Sequence, residues 1–572
     1  ELIGAPMLLG ELRGALEEAL AINFPLVNLI VFLLCWLVAR RIRLVFLIYF
    51  PLLQCELWLV AAYLVSGHGF NYITSNMATV ILVIGAATNI HLLSAYLQAR
   101  KDLSVRGAIV RAFRHVGRPS LIATATTAVA MISFIVNDDP AIRDFGIYSA
   151  LGLAAAIFCS YTLLPAALLL WAPREAMPER RVVFIAPFLA IPAWAWSHPR
   201  SVLAGAALIS LSGIAAIFHL NIGTHVHGYF EDDSSIRKAV AFSQERFSGY
   251  LPLEVIIHWP DEGETQPQLS GDELLALAGQ LEQTIMNKVR VNGREFTQLE
   301  IMTMSDLLDS FCADPARSKQ CPDGKPSSQV VDLFSNADME TGLPKYVVAR
   351  GNRHYLRLTV FHEPAYSAES LQLINRLQEV VQQEVGDSAH VVVTGLPALW
   401  FRHDAAMVKN LSQSFIVASI IIFLMMALAY RSVKPLLISI PSNMTPMLFS
   451  LGVAGLYCYS FAAQLTSAAL MFTTVAVGVI VDDTLYFLLT YQRHIKRGAC
   501  GETALVRTIE DVGAGIVLTG ICLTLGTATL LMGRLIPMQV FGGLLSLTVL
   551  AALFADLLLL PAICRVFWNP VK

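Results

Sequence analysis

Apolar residues gather into long runs, each roughly 17–25 residues and so long enough to cross about 30 Å of hydrocarbon. Windows of about 19 residues place spans at Ala21–Ala39, Leu44–Val65, Met77–Leu97, Pro119–Val136, Gly146–Trp171 and Ser201–His219. Five more follow at Ser414–Tyr430, Pro435–Tyr457, Ala469–Tyr491, Gly513–Met532 and Val540–Phe567. Val183–Trp196 is also apolar, but it is too short to cross and carries Pro187 and Pro192, so it is expected to lie in the interface. The stretches Asp102–Gly117 and Gly501–Val512 alternate in the manner of amphipathic interfacial helices.

Between the sixth and seventh spans, from Leu220 to about Asn410, the pattern turns polar. Leu253–Trp259 alternates as a strand, and Asp272–Val289 has helical period. Phe296–Met302 and His354–Phe361 read as strands, Ser367–Val385 as a helix and His390–Thr394 as a strand. The order β-α-β-β-α-β is the split βαβ of ferredoxin-like domains. An insertion at about Thr303–Tyr346 separates the two middle strands and carries Cys312 and Cys321.

The two apolar halves repeat. His115-Val116-Gly117 matches Asp511-Val512-Gly513, Phe145-Gly146 matches Phe541-Gly542, and Leu164-Pro165-Ala166 matches Leu560-Pro561-Ala562, all 396 positions apart. Gly4 and Pro6 match Gly395 and Pro397 at 391. Parallel repeats of this kind characterise transporters, with substrate and ion sites between the halves. The span at 201–219 and the polar region have no counterpart ahead of Glu1, so a further N-terminal span and outer domain are expected before this chain.

The fold class predicted is an α-helical polytopic membrane protein with two pseudo-repeated bundles and one α+β ferredoxin-like outer domain. Residues 1–20 would end a first outer domain, and 21–171 would form the first five-span repeat. A cytoplasmic or interfacial linker at 172–200 and a span at 201–219 come next. Residues 220–410 make the outer domain, and 411–572 the second five-span repeat.

Composition agrees: 55% of residues are hydrophobic and 15% charged, against about 45–50% and 25% in soluble domains. Mean hydropathy is +0.60. Charge adds orientation. Arg40, Arg41, Arg43, Arg100, Lys101, Arg106, Arg111, Arg114, Arg118, Arg174, Arg180, Arg181, Arg431, Lys434, Arg493, Lys496, Arg497 and Arg507 fall in one set of loops, against only Arg143 and Arg534 in the alternate short ones. The basic loops are therefore cytoplasmic and the polar domain outside. No basic patch suggests nucleic acid, and there is no zinc spacing, phosphate loop or GxSxG motif, so neither a cofactor or metal nor ATP-driven transport within the chain is expected.

The chemistry concentrates in Gly478-Val-Ile-Val-Asp482-Asp483-Thr-Leu-Tyr486. Each carboxylate near mid-membrane costs about 2.5–3.5 kcal/mol on insertion scales, and such residues mark ion paths and proton relays. Desolvation and mutual repulsion penalise the charged forms, which suits a carboxyl that binds and releases protons. Gly478, one turn earlier, would admit a neighbouring helix. The alternative is a helix lining a wet cavity, whose acids merely hydrogen-bond to neighbours.

This glycine-x-x-x-aspartate element, followed by the Tyr-Phe-Leu-Leu run and Tyr491-Gln492-Arg493, resembles the fourth and tenth helix motif of the resistance-nodulation-division superfamily. Among its branches the chain is most similar to the one holding the mycobacterial membrane lipid exporters, the hopanoid exporter and Patched-type sterol proteins. The resemblance implies a bacterial inner-membrane secondary transporter, with proton entry through Asp482 and Asp483 and a porter-like outer domain that handles cargo. Sterol, hopanoid or another lipid is the expected substrate, taken from the outer leaflet through a cleft. Multidrug efflux and a sterol-sensing or protein-translocation accessory role are the alternatives. Expected partners are the lipid-like substrate and the membrane; a periplasmic carrier and a second copy of the chain stay open.

The first repeat departs from the motif. Its equivalent stretch is Ile84-Gly85-Ala86-Ala87-Thr88-Asn89-Ile90-His91. Counting back from Tyr96, matched to Tyr491, sets Ala87 and Thr88 against Asp482 and Asp483; a small gap from Gly85 sets Asn89 there instead. Either way the motif loses its carboxylates, and proton traffic would use the second repeat alone. His91 is a candidate relay or a packing residue. Thr519, Thr524 and Thr527 could offer hydroxyls to the aspartates or bond back to their own helix, and Thr124, Thr126 and Thr127 read the same way. Cys312 and Cys321, outside in an oxidising compartment and joined by a short turn-rich loop, are expected to pair. An intramembrane aspartyl protease would need its two acids on facing helices, whereas Asp482 and Asp483 diverge by about 100° on one helix.

Overall fold

The computed structural model describes residues 5–568 apart from 40, 172–184, 224–225, 232, 248–251, 260–270, 292–293, 296–298, 304–305, 307–308, 311, 314–346, 351–352, 363–366 and 462–463. Cys321, most of the insertion, Gly4 of the second repeat match, and Val183 and Phe184 of the interfacial segment lie outside these residues. The chain divides into two compact units, Glu1–Leu9 with Gly223–Ala406, and Gly10–Ile222 with Met407–Lys572.

The second unit is helical, and two of its helices, Ala5–Ala39 and Leu396–Tyr430, begin in the first unit. Helices α1 (Ala5–Ala39), α2 (Ile42–Val65), α3 (Asn76–Ala99), α4 (Val105–Val136) and α5 (Pro140–Trp171) form the first repeat. Then come α6 (Ala186–Ser197) and α7 (Pro199–Ile217). With α8 (Ser235–Phe247), α9 (Gly271–Lys288) and α10 (Ser367–Val385) assigned to the other unit, the second repeat is α11 (Leu396–Tyr430), α12 (Val433–Phe461), α13 (Ser467–Lys496), α14 (Gly501–Met532) and α15 (Ile536–Phe567). Eleven of these helices are long and apolar enough to cross a membrane, one for each predicted span.

The repeat extends to local geometry. Both α4 and α14 contain a π turn, at Phe113–Gly117 and Ile509–Gly513, and both end in a 3-10 turn, at Ser133–Val136 and Thr529–Met532. The amphipathic segments expected as separate interfacial helices are instead the first turns of these two continuous helices. A third π turn, Ala555–Leu559 in α15, has no counterpart in α5, which is regular α-helix there. The Phe188 ring of α6 packs on Phe554 of α15, and Arg565 donates to the Trp196 carbonyl.

Helices α3 and α13 form the centre of the unit, with 83% and 78% of their apolar windows enclosed, against 11% for α7. Polar side chains on α3 and α13 therefore face protein. Close approach depends on small residues. A Cβ on Gly478 of α13 would stand 2.7 Å from the Ala130 Cβ and 3.1 Å from the Thr127 Cα of α4. At the mirrored contact the small residue changes sides, with Val83 of α3 pressed on Gly526 of α14.

The first unit holds strands β1 (Leu253–His258), β2 (Arg290–Val291), β3 (Arg294–Glu295), β4 (Glu300–Met302), β5 (Val347–Arg350), β6 (Arg353–Phe361) and β7 (His390–Thr394). The main sheet runs β4-β6-β1-β7, antiparallel throughout, with β5 paired on β6 and β2 on β3 apart. For a β-α-β-β-α-β chain that is the ferredoxin-like order. Strand β5 lies just past the expected insertion, in a stretch the sequence pattern does not assign. Alternation on β1 sends Leu253, Val255 and Ile257 inward. They meet Leu274, Ala278, Leu281 and Ile285 of α9, and Leu373, Leu377 and Val381 of α10, in one core. On the other face Glu254 receives both Arg357 Nε and Nη2 at 2.6 Å and the Thr359 hydroxyl at 3.0 Å, a bidentate pair that ties β1 to β6.

Candidate functional site

Three consecutive polar residues of α13 reach three different neighbours, because each step along a helix turns the side chain by about 100°. Asp483 is buried. The Thr519 hydroxyl of α14 donates to its Oδ1 at 3.0 Å and Oδ2 at 3.3 Å, and His91 Nε2 of α3 lies 3.2 Å from Oδ1. Asp482 is half-buried and has one long contact, 3.5 Å from the Thr127 hydroxyl of α4. That hydroxyl stands closer to the Gly478 carbonyl, at 2.8 Å. Thr484 donates to Asp556 Oδ1 of α15 at 2.7 Å and lies 3.4 Å from Asn443 Oδ1 of α12.

His91 is held by two neighbours. Its ring stacks on Tyr486 at 4.1 Å and 24°, and Gly515 leaves no room for a Cβ, which would stand 2.6 Å from Nδ1 and 3.0 Å from Cε1. The Asp483–His91 contact serves either proton location. An imidazole N–H donates to a carboxylate, and a protonated carboxyl donates to a bare ring nitrogen. Thr519 has a similar choice, since its single hydrogen can serve Asp483 or the Gly515 carbonyl at 2.9 Å.

The contacts settle how the repeats align. His91 and Tyr486, which stack on each other, are 395 positions apart. At the same offset Thr88 stands in the place of Asp483, and its hydroxyl lies 3.4 Å from that of Thr124 in α4, one position past the mate of Thr519, since α4 and α14 run 396 apart. The bond from Asn89 Nδ2 to the Ile48 carbonyl, 3.2 Å, mirrors Thr484–Asn443. Thr88, not Asn89, therefore occupies the place of Asp483, and Asn89 ties α3 to α2 away from the aspartates. Of the other threonines, Thr524 and Thr527 bond back to Gly520 and Leu523, and Thr126 to Ala123. Cys312 is disulfide-bonded; Cys321 lies outside the described residues.

Asp556 is a site residue that sequence reasoning misses. It sits in a run with no motif, yet the insertion cost that singles out Asp482 and Asp483 applies equally to it. Toward the basic-loop end, about 10 Å along α3 from His91, a cavity of about 240 Å³ opens among Gln98, Lys101, Arg111, His115, Arg493 and Asp511. Arg493 Nη1 donates to His115 Nδ1 at 3.1 Å, and His494 pairs with Asp511 at 3.0 Å. No group of three or more metal-ligating side chains occurs among the described residues.

A model of the MMPL family matches residues 2–198 and 310–568. The hopanoid transporter HpnN of Burkholderia multivorans is 23% identical over 209 residues, which is 36% of this chain and 24% of that protein. The multidrug resistance protein MdtC of Pantoea ananatis is 28% identical over 168 residues, 29% of this chain and 16% of that protein. The chain thus aligns with a quarter or less of these relatives. Among solved structures, the hedgehog release protein Disp from the water bear Hypsibius dujardini superposes with a TM-score of 0.65 at 15% identity, covering 97% of this chain and 71% of that one. SecDF, a translocon-associated membrane protein from Thermus thermophilus, gives 0.57 at 14%, covering 98% and 63%. Both show the fold.

Proposed function

The chain belongs to the MMPL family, within the resistance-nodulation-division superfamily, and from that premise we propose that it exports a hydrophobic, lipid-like substrate across a bacterial inner membrane, driven by protons. The observation that carries the reading is the buried Asp483, which faces His91 from one repeat and Thr519 from the other. A proton passing from imidazolium Nε2 to Asp483 Oδ1 neutralises the carboxylate. Thr519 then loses its charged acceptor, worth about 1.5–3 kcal/mol for a hydrogen bond to a charged group, and its hydrogen returns to the Gly515 carbonyl. The α13–α14 contact changes with each proton, which gives alternating access a two-state element to bias. The basic-end cavity supplies the water-filled approach. Asp482, half-buried beside the pair, is the second acid of the relay.

The test is export by the full-length protein in proteoliposomes. Asp483→Asn should abolish proton-gradient-dependent transport while leaving folding intact, and Asp482→Asn should reduce it less. Full gradient-dependent transport in the double Asn variant would sink the proposal. For cargo, the HpnN match favours a sterol or hopanoid, and the MdtC match keeps multidrug efflux as the second reading. Micromolar binding of a hopanoid supports the first; export of soluble dyes without lipid binding supports the second.

A further inference from the structure

The first repeat lacks the motif carboxylates but has an acid elsewhere. Glu56, in the middle of α2, is 1% exposed, and neither carboxylate oxygen has a hydrogen-bond partner among the described residues. No ion pair reaches it there. The polar side chain facing it from α1 is Asn28. Asn28 is engaged already: the Tyr49 hydroxyl donates to its Oδ1, and its Nδ2 donates to the Phe24 carbonyl at 2.8 Å. The neighbouring titratable groups are Tyr49 and Cys55 on α2, Cys35 on α1 and Cys159 on α5. Cys55 donates to the Gly152 carbonyl of α5 at 3.1 Å, which fixes α2 one residue from Glu56.

We propose that Glu56 is a second proton-binding carboxyl, in the first repeat and separate from the Asp482–Asp483 site. An acid inside a membrane helix is expensive and so marks a functional site by default, and a buried polar group without a partner is rare. A metal ion would need several oxygen ligands, and the surroundings offer an amide and a phenol that are already bonded to each other. A proton needs only one lone pair. Asn89, bonded to the Ile48 carbonyl two turns along α2, joins the helix of Glu56 to the helix of His91. The role of Glu56 in coupling rests on the proton-driven reading; its proton binding does not.

The experiment uses the whole chain in proteoliposomes and the apolar reagent N,N′-dicyclohexylcarbodiimide. The neutral carboxyl adds across one C=N bond: its proton goes to nitrogen, its oxygen bonds to the central carbon, and nothing leaves. An O-to-N shift then leaves a stable acylurea, read by peptide mass. Glu56 should be modified in the wild type and equally in the Asp482→Asn/Asp483→Asn variant. The adduct should be lost in Glu56→Gln, and in the wild type it should decline to background as the pH is raised. An unmodified Glu56 overturns the proposal, as does modification that is constant at every pH or that vanishes with the two aspartates. Because no cargo is needed, failure of proton-driven export would leave this result standing.

Discussion

Gly515→Ala tests whether His91 is held in place by the glycine opposite it. The new Cβ would meet His91 Nδ1 at 2.6 Å and Cε1 at 3.0 Å, distances that require the ring to move. The ring cannot move freely, because one face stacks on Tyr486. In α14 the substitution gains about 1 kcal/mol of helix propensity, while overpacking costs about 1–3 kcal/mol. In the wild type the change should therefore range from near neutral to destabilising by about 2 kcal/mol. With His91→Ala the clash disappears, and the same substitution should stabilise by about 1 kcal/mol. The double-mutant cycle should give a coupling of about 1–3 kcal/mol, read from denaturant midpoints in mixed micelles. Transport in the single variant should fall as far as in His91→Ala, since either change separates Nε2 from Asp483. Equal effects of Gly515→Ala on stability in the two backgrounds would refute the argument.

Asn89→Ala removes a bond to the Ile48 carbonyl away from the aspartates, so transport should fall mildly, with a stability loss of about 1 kcal/mol; inactivation as complete as that from Asp483→Asn would put Asn89 in the relay. Cys312 and Cys321 should both resist alkylation under non-reducing conditions, and reduction should cost the α+β domain about 2–3 kcal/mol; labelling of both thiols without reductant rules out that pairing.

Much of this architecture is legible in the sequence because bilayer thickness and strand pleat impose simple periods. Eleven apolar runs become eleven helices, and alternation at Leu253–Trp259 and His354–Phe361 becomes two paired strands. The aspartates stand out because burying charge in a membrane is expensive. Their partners do not, since the direction of each side chain depends on which helix lies beside α13. Thr519 and Thr524 look alike in sequence, yet only Thr519 faces an aspartate. The alignment of Asn89 is ambiguous in sequence because a two-residue gap costs nothing on paper, whereas the His91–Tyr486 stack pairs positions 395 apart. Asp556 and Glu56 carry the same signal as Asp483, but no motif draws attention to them.

The π turns at Phe113–Gly117 and Ile509–Gly513 each hold one residue more than an α-helical path needs. Every side chain beyond them is thereby rotated by about 100° relative to an uninterrupted helix. Thr127 and Thr519 lie downstream of these turns, so their facing toward Asp482 and Asp483 is set by an inserted residue at the basic-loop end of the helix. Removing one residue from Ile509–Gly513 would leave the composition of the relay untouched and swing Thr519 off Asp483. The spacing that builds this site is therefore written partly outside it, in a stretch that touches neither aspartate.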